Sequence, residues 1–107
     1  MKHKAPKLLT KKEIKKMIET FSEWKIDSNN SKFTRTFVFK KQIDALIFIA
    51  RTTVNSEVLK HYPDITFTFL KVKMNITTHE VKGLTKDDVL LIARIEHMYA
   101  SQEGDKQ

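Results

Sequence analysis

The amino-acid sequence predicts an α+β domain: a four-stranded antiparallel sheet with helices packed on one face, in the order α-β-β-α-β-β-α. The first sign is a change of period. Apolar residues pass twice from strict alternation to helical spacing, and each alternating stretch is long enough for two short strands. The second is segregation, since strand pairs followed by helices make a layered domain with helices on one side. The third is size, because 107 residues make one domain and leave no room for two.

Residues 1–9 read as a mobile basic arm, with Pro6 discouraging regular structure. Residues 10–100 read as the domain and 101–107 as a frayed tail. The first helix opens on a capping box, Thr10 with Glu13, and carries Ile14, Met17, Ile18 and Phe21 as one apolar stripe. "WKIDSNNSKFTRTFVFK" is a hairpin around the turn-forming "DSNNS". Beyond that turn Phe33, Arg35, Phe37 and Phe39 share one face, and Thr34, Thr36 and Val38 the other.

From about Lys41 to Lys60 the spacing is helical. Ile43, Ile47, Ala50, Val54 and Val58 form a stripe that Leu46, Phe48 and Ile49 widen, so this helix is expected to pack on the sheet and also on another subunit. Pro63 forces Tyr62 out of helical geometry, which ends the helix near His61. "ITFTFLKVKMNITTH" is the second hairpin, with Ile65, Phe67 and Phe69 and then Val72, Met74 and Ile76, turning at Leu70 and Lys71. Gly83 breaks the chain, and a second capping box, Thr85 with Asp88, opens the last helix. The two strand-strand-helix halves have the look of a loose duplication.

Composition narrows the function classes. The formal net charge is +7, and "MKHKAPKLLTKKEIKKM" holds seven lysines against one glutamate. Nucleic-acid surfaces interleave arginine and aromatic residues with such charge, so this stretch reads as a solvated arm and helix face, and a nucleic-acid partner is disfavoured. With no cysteine there is no disulfide, thiolate nucleophile or cysteine zinc site. No apolar run reaches the roughly 20 residues that cross a bilayer. The N-terminus has no signal-peptide core, so no membrane association is expected and the cytosol is the expected compartment.

Chemistry must be sought among Glu57, His61, Tyr62, His79, Asp87 and Asp88. Glu57 and His61 are four apart and share a helix face if the helix extends that far. A helix C-terminus and a nearby carboxylate both favour a protonated imidazole. If the strand ending near His79 runs beside the strand leaving His61, both imidazoles face one cleft and suit proton transfer near neutral pH. Other readings stay open. Each histidine alone can be an ordinary surface residue, as His3 and His97 are read to be. Asp87 and Asp88 also serve as favourable charge in a first helical turn. Glu57, His61 and His79 could form a two-histidine, one-carboxylate metal site, although such sites usually sit on rigid barrel strands.

Glu57, His61, Pro63, Phe69, His79 and Asp88, in that order, resemble the pattern of the pterin-4a-carbinolamine dehydratase family. "TTHEVKGLTKDDVLLIARIE" is similar to that family's stretch around its last histidine, and Trp24, "FTRTFVFK" and the long second helix fall where the family has them. The resemblance runs from Trp24 to Tyr99. It implies loss of water from a 4a-hydroxytetrahydropterin to give the quinonoid dihydropterin, in pterin recycling, with no metal, nucleotide or redox cofactor.

The same resemblance implies His61 and His79 as the acid–base pair, with Asp88 orienting His79. Glu57 would bind the pterin's amino-pyrimidine edge or hold His61, and Tyr62, Pro63 and Thr78 would complete the substrate site. Tyr62 stands where the family usually has a second histidine. A phenol hydrogen-bonds and stacks, but with a pKa of about 10 it is no base near neutrality. A homodimer or homotetramer is implied, in the cytoplasm, with the nucleus added by family analogy. The alternative is a catalytically weak relative acting as a pterin-binding or protein-binding scaffold, like the family's dimerisation cofactor of a transcription factor.

Overall fold

The predicted order of elements is the observed one. A computed structural model describes residues 5–102 as α1 (Lys11–Thr20), β1 (Lys25–Ile26), β2 (Phe33–Val38), α2 (Gln42–Leu59), β3 (Asp64–Thr68), β4 (Lys71–Ile76) and α3 (Lys86–Ser101), with a short 3-10 turn at His79–Val81. The expectations for residues 1–4, His3 among them, and for residues 103–107 lie outside the described residues. Both capping boxes are present, Thr10 with Glu13 at α1 and Thr85 with Asp88 at α3. Among the described residues no helix is long and apolar enough to cross a membrane.

The sheet is antiparallel with strand order β1-β2-β4-β3. Alternation sends Phe33, Phe37, Val72, Met74 and Ile76 to one face, where they are fully buried beneath the helices. The opposite face is polar, with Thr36, Thr66, Thr68, Lys71 and Lys73 exposed. Over the buried face lie Ala45 and Phe48 of α2 and Leu91, Ile92 and Ile95 of α3. Phe37, Phe39, Phe48 and Tyr99 meet with ring centroids 4.8 to 5.5 Å apart in tilted and edge-on arrangements, the geometry that aromatic quadrupoles favour.

Arg35 shares the core face with these rings. Its guanidinium lies 4.3 Å from the Phe37 centroid and pairs with Glu96, which also accepts the Trp24 indole N–H at 2.8 Å. A charge is tolerated there because it is both paired and stacked.

Two expectations need correction. The stripe Ile43, Ile47, Ala50, Val54 and Val58 does not pack on the sheet. It points outward, with Val54 63% and Val58 67% exposed. The sheet side of α2 is Ala45, Phe48, Thr52 and Ser56. Large rings from β2 and α3 already fill the space under α2, so its inner face is small apart from Phe48. Ranking faces by hydrophobicity therefore selects the outer one.

The second hairpin turns at Phe69 and Leu70 rather than at Leu70 and Lys71, with Thr68 paired to Lys71. Phe69 sits at φ 47°, a conformation that glycine or asparagine usually advertises. The arm is anchored at its end: the Leu9 N–H donates to the Leu84 carbonyl at 2.8 Å. At the other end Gln102 is buried and its amide donates to the Asp44 carbonyl at 2.9 Å.

Candidate active site

The site forms where α2, β4 and α3 come together. The α2 helix stops at Leu59, and Lys60 takes a left-handed conformation at φ 56°. The amides of Lys60 and His61 both donate to the Ser56 carbonyl. This turn carries His61 off the helix, so Glu57 and His61 do not share a helix face. The chain then enters β3, whose first residue, Asp64, pairs with Asn75 near the end of β4. The His61–Pro63 segment and the Thr77–His79 segment are thereby brought to the same end of the sheet.

Beyond β4, Thr78 and Gly83 pair to close a small loop: Thr78 N–H donates to the Gly83 carbonyl at 2.8 Å and Gly83 N–H returns to Thr78 at 3.3 Å. His79 begins the 3-10 turn inside that loop, and its side chain is exposed. The loop leads directly into α3.

Asp88, in the first turn of α3, is the centre of the cluster and is fully buried. Its Oδ1 accepts from His61 Nε2 at 2.6 Å. Its Oδ2 accepts the Thr78 hydroxyl at 2.7 Å and the Thr85 backbone N–H at 2.8 Å. A carboxylate oxygen only accepts, so the His61 nitrogen facing it carries a proton. The Asp88 hydrogen bond holds the His61 imidazole protonated above its ordinary range, against the opposing effect of burial, and the negative charges of Asp88 and Asp87 add to the shift.

Asp88 therefore orients His61, not His79 as the resemblance implied. The first turn of α3 reaches the α2–β3 link at His61 and the start of the 3-10 turn at Thr78, and its carboxylate bonds the imidazole of the former. Thr78 is placed differently as well. Its backbone is committed to Gly83 and its hydroxyl to Asp88.

Tyr62 is 44% exposed, and the nearby Glu57 carboxylate, through its hydrogen-bonding influence, raises the phenol pKa above its ordinary value, with burial and the Glu57 charge adding. Glu57 lies near Tyr62, while the partner of His61 is Asp88. Pro63 is half-buried just before β3. His97 is exposed on α3. Among the described residues no group of three or more His, Cys, Asp or Glu side chains is placed to hold a metal ion, so the Glu57, His61 and His79 metal alternative has no geometry behind it. A groove of about 430 Å³ between α1 and α3, lined by Leu9, Met17, Phe21, Val89 and Ala93 among others, contains no histidine and is separate from this cluster.

Thr85 is the member of the cluster that the sequence reading did not place in the site. Its capping box with Asp88 is visible, but a cap is a local feature and does not announce that Asp88 also holds a half-buried histidine 27 positions away in the chain.

The chain matches one known family over most of its length. Residues 7–98 match the profile described as pterin 4 alpha carbinolamine dehydratase. The chain belongs to this family. Among relatives provisionally named pterin-4-alpha-carbinolamine dehydratase, one from Picosynechococcus is 36% identical over 91 residues, covering 84% of this chain and 96% of the relative. Another, from Nostoc punctiforme, is 38% identical over 81 residues, covering 76% of this chain and 85% of the relative. The fold matches a solved Brucella melitensis protein described as a transcriptional coactivator/pterin dehydratase, with a TM-score of 0.81 at 24% identity over 86% of this chain and 98% of that one. It also matches a pterin dehydratase-like protein described as a RuBisCO assembly factor in the alpha-carboxysome, with a TM-score of 0.64 at 16% identity over 75% of this chain and 93% of that one. At those identities the two structures speak for the pterin dehydratase fold alone.

Proposed function

We propose that this chain removes water from a 4a-hydroxytetrahydropterin, with His61 as the acid and His79 as the base. The observation that carries the proposal is the His61–Asp88 contact. A buried carboxylate keeps the imidazole charged, so it has a proton to give to a leaving hydroxyl. In the step, the C4a–O bond breaks as His61 protonates the hydroxyl, which departs as water. The N5–H bond breaks as its proton passes to His79, and its electron pair forms the C4a=N5 bond of the quinonoid product. Proton exchange with solvent returns both histidines to their starting states. The electrons come from the substrate, so neither an oxidant nor a reductant is consumed.

In this reading Glu57, near Tyr62, offers a carboxylate to the amino-pyrimidine edge, and the exposed Tyr62 ring offers a stacking surface. Pro63 stiffens the segment between them and β3. The experiment is to supply the carbinolamine and follow quinonoid formation by absorbance. The wild type is expected to outrun buffer, and Tyr62→His to change KM more than kcat, because the proton carriers are already present. A wild type no faster than buffer beside an active Tyr62→His variant contradicts the proposal and describes a lapsed enzyme.

The outward apolar stripe of α2 supports a second reading, in which this scaffold binds protein. Its first occupant is a second copy of the chain, giving a homodimer or homotetramer. Ile43, Ile47, Val54 and Val58 are all exposed in the single chain and lie along one helix face. Val54→Asp is expected to reduce the mass seen by light scattering to that of a monomer, with the circular dichroism spectrum unchanged. An unchanged mass rules out this face as the subunit contact.

A further inference from the structure

The donors around Asp88 run in one direction. Thr78 has a single hydroxyl proton and gives it to Asp88 Oδ2 at 2.7 Å. Its 2.8 Å contact with Thr85 Oγ1 must therefore be donated by the Thr85 hydroxyl. Thr85 Oγ1 in turn accepts the Asp87 N–H at 3.2 Å, and the Thr85 N–H ends on Asp88 Oδ2 at 2.8 Å. Every donor in the chain leads to one carboxylate oxygen. Thr78, Thr85 and Asp88 are 5%, 1% and 0% exposed, so bulk water cannot stand in for a lost partner.

Capping α3 explains only part of this. A capping box needs Thr85 and Asp88, and both are satisfied by each other's backbone amides. The Thr78 hydroxyl is an extra donor, brought from the end of β4 onto the carboxylate that holds His61. Hydrogen bonds in such a chain polarise one another, and each draws negative charge toward Oδ2 and away from the oxygen facing the imidazole.

We infer that Thr78 and Thr85 are positioning residues that temper Asp88, weakening its grip on the His61 proton so that His61 can release the proton as well as hold it. This rests on the acid–base reading of His61 given above. A buried carboxylate with the imidazolium as its sole partner would hold the proton more tightly, and turnover requires that it leave. The other charges around His61 do not supply this effect. Asp87 on α3 adds negative charge, and Glu57, near the end of α2, acts on the Tyr62 phenol. His79, following Thr78, is exposed.

The test is an NMR titration of the His61 imidazole in the full chain, which needs no pterin. Thr78→Val keeps the shape and deletes the donor, and is expected to raise the His61 pKa by about half a unit or more. Thr78→Ser is expected to restore the wild-type titration, and Thr85→Val to give a smaller rise. In the dehydration assay the alkaline limb of kcat should move to higher pH by the same amount. Loss of packing alone would loosen the His61–Asp88 contact and lower the pKa. An unchanged or lowered His61 pKa in Thr78→Val, or in Thr85→Val should Thr78→Val not fold, overturns the inference. A rise in a chain without dehydratase activity leaves the tempering intact and removes only the pterin reading.

Discussion

Replacing His61 with glutamine is expected to slow dehydration by about two to four powers of ten in kcat, the range that one positioned proton carrier contributes. Glutamine is chosen because its amide can still donate toward Asp88 Oδ1, so the buried carboxylate keeps a partner and the fold is retained. KM should move little, since His61 is bonded to Asp88 and not to the substrate-binding residues assigned above, Glu57 and Tyr62. The matched variant His79→Gln should also slow the reaction while leaving the Asp88 cluster untouched, because His79 lies on the exposed turn. Stopped-flow measurement of both variants separates the two roles. If both retain wild-type rates, the chemistry lies elsewhere.

The second large effect is on stability. Asp88→Ala removes three contacts at once: the partner of His61, the acceptor of the Thr78 hydroxyl and the acceptor of the α3 cap. Breaking a buried charged pair and losing a cap together should cost about 3 kcal/mol or more. Asp88→Asn should cost less, because its amide oxygen still accepts from Thr78 and Thr85. Its nitrogen then faces His61, and the charge that keeps the imidazole protonated is gone.

The pH dependence follows from the sign of the His61 shift. The folded pKa lies above the unfolded one, so the pair stabilises fully below the ordinary histidine value of about 6.5. That stability is lost as pH rises through the folded value. Urea unfolding at about pH 6 and about pH 9 should show the gap between wild type and Asp88→Asn narrowing at the higher pH. A gap independent of pH contradicts the charged pair.

Local features were readable from the sequence and long-range ones were not. Thr10 with Glu13 and Thr85 with Asp88 are three residues apart, so both helix starts were visible as written. The alternation of Phe33, Phe37, Val72, Met74 and Ile76 likewise assigned the buried face of the sheet correctly. The face of α2 was misread because the aromatic residues that occupy its inner side come from other elements. The turn at Phe69 and Leu70 was displaced by one residue because a left-handed phenylalanine gives no composition cue.

The site shows the same division. That His61, Thr78, His79 and Asp88 belong to one region follows from the resemblance and from β3 lying beside β4. Which imidazole Asp88 holds depends on how α3 leaves the loop after Gly83. No spacing in the sequence encodes that direction.

The central claim is that His61 and His79 act on one ligand. The most direct check is the imidazole NMR spectrum of the histidine-labelled protein during titration with dihydrobiopterin, a reduced pterin that lacks the 4a-hydroxyl and cannot react. Saturable movement of both the His61 and His79 resonances, with His97 still, is the predicted result. Saturable binding that moves neither of the two, or no binding at all, contradicts the account.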